Sequence, residues 1–534
     1  MTQANNKVVV IGLDGGTYKI LKPLAEEGVM PNFKKILELS SHGILKSTIP
    51  PMTGTAWTTF ATGKTPGKHG VYDFLLSNGS LTDFRITSSR DIKGKTVYEI
   101  ISEQGLEPIT INLPNSWPPR LKDKHIVITS LLTQGDQWIW PNSLIEEFPE
   151  LKKYKLTPNE SLRMKERQEA YIEEIGQMEH DHLAAVKKIF TTKKWDFFFY
   201  LFSATDWLQH ARFDEVVNDR DPKSLEIYKI IDGYLGWFLE NLPPDTTLLM
   251  MSDHGFTSFH KIFYINKWLE KEGYLTSKIG SEQFKTRVTR RGREATKTQS
   301  KYKAINLGKS AFKILSYFPW LEKFSFWLYK KFIKKYLPIN LKVNIGVDYS
   351  KTYACIPKGG HITNVYLNYQ KKYHDGIIKT EKEYLKIRTE IKQKLEKLTD
   401  ASGEKVIEKI LTKEDVYGKN APIDAPDLFF DLKNYWLDGN FYSGKIFNDN
   451  QDSNKYHHDM DGIFLALGPN IKSNTELEDN NITDLAPTIL HLLNIPIPRD
   501  MDGKVITEIF KEQKEIIFET EKQAINNLIN DIKF

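Results

Sequence analysis

Thr246-Thr247-Leu248-Leu249-Met250-Met251-Ser252-Asp253-His254-Gly255 joins an uncharged run to an Asp-His pair, and that junction decides the fold. The run reads as a buried strand, apolar enough to be covered on both faces. Open α/β sheets gather their ligands where parallel strands end, at the carboxyl edge. Asp253 offers a hard anionic oxygen and His254 a borderline imidazole nitrogen, a mixture that zinc and similar divalent ions accept. Gly255 predicts a sharp turn directly afterwards. Alone, the tetrapeptide Ser252–Gly255 fits a turn with a capping Asp equally well.

Working outward, Lys7–Leu13 (KVVVIGL) is a second buried-strand pattern, ended by Asp14-Gly15-Gly16. Trp195–Phe202 (WDFFFYLF) is a third, followed by Ser203-Ala204-Thr205-Asp206, with His210 one helical turn beyond Asp206. His458 lies in YHHDMDGIFLALG, just before a further strand. Strands are also predicted at 107–112 and 125–129, and helices at 18–40, 159–190, 223–241, 380–398 and 483–493. This alternation argues for an α/β fold with a doubly wound, mostly parallel sheet and helices on both faces.

Each candidate ligand has an ordinary alternative. An Asp after a strand is commonly a cap or turn residue. A D-x-x-x-H pair is commonly a solvated helix face, and His457-His458 a surface pair. Co-occurrence changes the balance: four separate strand edges supply three Asp and three His, a donor set suited to two divalent ions with open positions. Between them lies the Pro/Thr/Gly-rich segment Thr48–Gly70, in which Thr53 stands at the predicted start of a helix. A threonine hydroxyl becomes a nucleophile only when a base or metal lowers its pKa, and a helix N-terminus adds N–H groups suited to a phosphoryl oxygen. The alternative is that Thr53 is an N-cap.

Taken in order, GLDGG, PPMTGTAWTTFATGKTPGKHG, D-x-x-x-H, SDHG and His458 resemble the alkaline phosphatase superfamily, in its type I phosphodiesterase/nucleotide pyrophosphatase branch. The resemblance runs from residue 7 to about 505, apart from a basic insert. It implies that Asp14, Thr53, Asp253 and His254 surround one ion and that Asp206, His210 and His458 hold the second. Both ions are expected to be zinc, with manganese or iron as alternatives. It also implies that Thr53 is the catalytic nucleophile, forming a phospho-threonine in the hydrolysis of a small phosphoester. A phosphomonoesterase, a phospho-head-group transferase or a catalytically inactive membrane-surface binding protein are the rival functions. The branch usually carries Asn three residues after the nucleophile; Ala56 stands here instead, so the Gly54 amide or Lys64 is expected to bind substrate. His69 is expected to be structural, and His457 is the alternative to His458. No Cys/Ser-x-Pro-x-Arg pattern supports a sulfatase.

The totals agree with a cytoplasmic globular enzyme. The chain has 534 residues, 40% of them hydrophobic, and its single cysteine, Cys355, excludes an internal disulfide. The first residues, MTQANNK, lead straight into a strand with no apolar leader, and no run is long enough for a transmembrane helix. Lys278–Lys342 holds 17 Lys/Arg against 3 acidic residues, so the whole chain's net charge of +5 hides one segment of +14. Its first part is polar enough for a mobile loop. Its aromatic second part is a cap, an amphipathic membrane contact through 310–337, or an electrostatic funnel for an anionic substrate, and no specific nucleic-acid binding is expected. The expected division is 1–275 and 346–515 for the two stretches of core, 276–345 for the insert, and 516–534 for a C-terminal helix. Oligomeric state leaves no signal in the sequence.

Overall fold

A computed structural model describes residues 6–120, 125–279, 285–290, 293–298, 345–357, 364–432, 434–440, 445–449 and 456–520. Its centre is a ten-stranded sheet. Lys7–Leu13 lies between Phe197–Phe202 and Thr246–Met251, parallel to both, and Phe197–Phe202 continues in parallel to Pro108–Leu113 and Ile126–Thr129. Asp461–Leu467 runs antiparallel beside Thr246–Met251, and Ser41–Lys46 antiparallel beside it in turn. Successive side chains of Lys7–Leu13 point to opposite faces, as a strand requires. Val9, Ile11 and Leu13 join one apolar cluster with the helices Tyr18–Glu26, Gln168–Thr192 and Pro222–Asn241; Val8 and Val10 join another with Thr53–Thr62 and Leu485–Leu492. The doubly wound, mostly parallel α/β sheet is therefore the observed architecture.

Local chemistry explains the departures. The helix expected over 18–40 is two, because Gly28 adopts φ 77° and Pro31 opens the next helix, Pro31–Leu39. The helix expected from 159 begins at Gln168, after two short 3₁₀ turns. The basic segment does not start as a loop: Lys285–Arg290 and Arg293–Thr298 form a hairpin whose first strand pairs with Asp83–Arg85. Ser277–Ile279 pairs with Ile345–Val347, so the chain leaves and re-enters at one place. The proposed membrane contact, 310–337, lies outside the described residues.

The apolar clusters divide the described residues differently from the expected boundaries. Residues from Phe263 to Phe447 build a separate apolar cluster with Leu75, Leu81 and Phe84, so the sheet-bearing core resumes at Tyr456 rather than at 346. The described start of the expected C-terminal helix, residues 516–520, carries no helix, and Phe518 bridges to Ile497. Among the described residues no helix is long and apolar enough to cross a membrane.

Candidate active site

Three parallel strands, Thr246–Met251, Lys7–Leu13 and Phe197–Phe202, lie side by side in register, so Asp253-His254, Asp14 and Asp206 emerge together at one edge. Because Asp461–Leu467 runs the other way, its amino end reaches the same edge and brings His458 with it. Gly255 is not a turn residue; it opens the strand Gly255–Ser258, which pairs with Tyr456–Asp459 and sets Phe256 opposite His458. A Cβ on Gly255 would lie 2.2 Å from the Asp461 carbonyl oxygen, so this close backbone approach admits only glycine.

His254 is fully buried, and its Nδ1 lies 2.9 Å from the Gly255 carbonyl oxygen, which can only accept. The ring proton therefore sits on Nδ1, and Nε2 presents its lone pair. Around that Nε2 stand Asp253 Oδ2 at 3.3 Å, Asp14 Oδ1 at 3.6 Å and Thr53 Oγ1 at 3.3 Å. The same logic fixes His458, whose Nδ1 is 2.8 Å from the Pro51 carbonyl oxygen. Its Nε2 lies 3.1 Å from His210 Nε2 and 3.4 Å from Asp206 Oδ1, and His210 Nε2 is also 3.4 Å from Asp206 Oδ1. The His254 and His458 rings stack with centroids 3.6 Å apart, joining the two groups.

These donors fit divalent cations. Asp14 Oδ1, Asp206 Oδ1 and Asp253 Oδ2 are buried oxygens that accept no hydrogen bond among the described residues. Burying three carboxylates together is costly without positive charge. Burial, with the Asp253 charge beside it, pushes Asp14 well above the usual carboxyl range, and burial does the same to Asp253. Burial also drives His254 far below its ordinary value. For Asp206, burial opposes ionisation, but the imidazoles of His210, His458 and His254 outweigh it and hold the carboxyl low. Ligands bonded at about 2.0–2.1 Å in a tetrahedron stand about 3.3 Å apart, the spacing found here. Two groups could each hold a metal ion: Asp206, His210 and His458, and Asp14, Asp206 and His254. Asp206 belongs to both, which the sequence pattern had assigned to one.

Thr53 is the first residue of its helix; the N-cap is Met52, which makes no side-chain cap. The capping alternative for Thr53 is thereby removed, since its hydroxyl faces His254 instead. Gly54 follows in the first turn, whose N–H groups lack intrahelical acceptors. The structure does not bring Lys64 to Thr53: its ammonium pairs with Asp500 and packs over Gly94. Ala56 is fully buried in an apolar cluster, so an Asn at that position would face the core and its absence takes nothing from the site. His457 stacks on Trp436, and His69 is buried against Thr59, leaving His458 as the histidine in the cluster.

Two residues were missed. Asn115 reaches the helix that carries Thr53 from the strand end after Pro108–Leu113, a parallel strand end whose polar residues the sequence reading passes over. Glu179, fully buried, accepts from Tyr200 Oη at 3.1 Å, on the strand that leads into the Asp206-bearing helix. Burial pushes its carboxyl up to about 8 from 4.5. The folded state thus holds this proton more tightly than the unfolded chain, so its contribution to stability falls as pH rises from about 4.5 to about 8. Glu179→Gln keeps the acceptor without the charge. Its melting temperature should match wild type near pH 5 and exceed it near pH 8.5; parallel melting curves across that range would refute the assignment.

The family model described as type I phosphodiesterase / nucleotide pyrophosphatase matches residues 8–319. The chain belongs to this family and is a phosphoester hydrolase of the alkaline phosphatase superfamily. No curated protein sequence matches it. Among solved structures, phosphonoacetate hydrolase from Sinorhizobium meliloti, in complex with phosphonoformate, aligns at 12% identity and TM-score 0.53 over 92% of this chain and 95% of that one. Human ectonucleotide pyrophosphatase / phosphodiesterase 5 aligns at 14% identity and TM-score 0.50 over 95% and 100%. At such identities the likeness concerns the fold.

Proposed function

We propose that this enzyme cleaves phosphodiester or pyrophosphate bonds of small phosphoesters through a covalent phospho-threonine on Thr53. The observation that carries this is the convergence of Thr53 Oγ1 with a lone-pair nitrogen and carboxylate oxygens that accept no hydrogen bond. Asp14, Asp253 and His254, with Thr53, would hold one cation and Asp206, His210 and His458 the other, with Asp206 close enough to Asp14 and His254 to serve both. Divalent ions bound there would lower the pKa of the nucleophile and of water and offset the charge on phosphoryl oxygens. Zinc suits the mixed His/Asp set best, with manganese and iron next.

Thr53 loses its proton, its Oγ1 bonds to phosphorus, and the leaving oxygen departs with the electron pair of the broken P–O bond. Water then attacks the phospho-threonine, restoring the hydroxyl and releasing the phosphate product. First-turn N–H groups, that of Gly54 included, favour the charged phosphoryl oxygens.

Zinc-loaded protein assayed on bis-p-nitrophenyl phosphate and p-nitrophenyl phosphate tests the substrate class. The diester should turn over faster. A faster monoester would make the enzyme a phosphomonoesterase, and hydrolysis of neither would overturn the proposal.

A further inference from the structure

Asn115 is 2% exposed and adopts φ 58°, a left-handed conformation that asparagine tolerates but most side chains do not. Its amide makes three described bonds. Nδ2 donates to the Gly54 carbonyl oxygen at 2.9 Å and to Thr58 Oγ1 at 3.1 Å, while Oδ1 accepts from Thr87 Oγ1 at 3.0 Å. The orientation is internally consistent, because Thr58 Oγ1 spends its own proton on the Gly54 carbonyl at 2.7 Å and can only accept from Asn115. Both amide protons are thus committed to one turn of helix, and neither is free for a substrate.

We propose that Asn115 is the positioning residue for the nucleophile: by clamping the Gly54 carbonyl, it fixes the peptide plane whose N–H, on Thr55, points out of the helix beside Thr53. The peptide unit is planar, so holding its oxygen orients its N–H. The clamp is needed because the N-cap, Met52, has no side-chain oxygen to secure this end. It also accounts for Gly54. A Cβ there would approach the Phe74 ring to 3.0 Å and Asn115 Nδ2 to 3.3 Å, crowding the amide against which the carbonyl is held. Asn115 therefore acts through Thr53, Gly54 and Thr55 without touching the substrate.

This inference rests on Thr53 being the nucleophile, and Asn115→Gly tests it, since glycine accepts the left-handed backbone and removes the clamp together with the Thr87 bond. On bis-p-nitrophenyl phosphate, kcat should fall on the order of 10- to 100-fold while KM stays within about threefold. Metal content and melting temperature should stay close to wild type. Asn115→Asp, which turns an oxygen toward the Gly54 carbonyl, should fall at least as far. Asn115→Gly with Thr58→Ala should be little worse than the poorer single variant, because both cut one clamp. Wild-type kcat in Asn115→Gly overturns the proposal, as does a loss that tracks lost metal or lowered stability. Full activity in Thr53→Ala would instead overturn the nucleophile on which it rests.

Discussion

Thr53→Ala should lower turnover by on the order of 10³-fold or more, the scale expected when a covalent nucleophile is removed. Stability should change little, because the hydroxyl is not the helix cap and its described partner is His254 Nε2 at 3.3 Å. Thr53→Ser keeps the oxygen and should retain measurable activity. Acid quenching during turnover of a ³²P-labelled diester provides a second measure. Label should remain with wild-type protein and be absent from Thr53→Ala. A Thr53→Ala rate equal to wild type, or label on that variant, would show that phosphorus is attacked by something else. Loss of activity together with loss of bound metal would assign Thr53 a ligand role alone.

Much of this site was legible because its strands are fully buried. Continuous apolar runs such as FFFYLF and TTLLMM have few structural alternatives, and a charged residue at their end marks the sheet edge. Asp14, Asp206, Asp253 and His254 were found that way, and His458 by its place before DGIFLAL. What stayed illegible depends on distant partners. Lys64 looked free to meet a phosphate, yet Asp500 claims it from 436 residues away. Ala56 looked like a lost phosphate ligand until the helix turned it into the core. Gly255 looked like a turn, whereas its need for glycine comes from Asp461 on another strand. Lys285–Arg290 and Arg293–Thr298 read as a loop because their polar residues lack an apolar face, and the strand that pairs with the first of them, Asp83–Ile86, lies far earlier in the chain. Short, half-buried strands between 345 and 449 likewise left the smaller apolar unit unseen.

Asp206→Asn should cost more metal than loss of any other single ligand. Its Oδ1 stands 3.4 Å from both His210 Nε2 and His458 Nε2, and it also groups with Asp14 and His254. The amide keeps the volume but removes the anion that both groups share. His210→Ala, by contrast, trims one group only. Elemental analysis of protein equilibrated with limiting zinc should therefore rank wild type above His210→Ala and His210→Ala above Asp206→Asn. Stability should follow. A ligand present at 1,000 times its Kd stabilises the folded state by about 4 kcal/mol per site, so the melting-temperature gain on adding zinc should shrink in the same order. Chelating the wild type should reproduce the Asp206→Asn melting curve more closely than that of His210→Ala. Equal zinc in the two variants would make the groups independent, with Asp206 serving one alone. Undiminished zinc in Asp206→Asn would remove this carboxylate from the metal site, and with it the reason its oxygen lies buried without a hydrogen-bond donor.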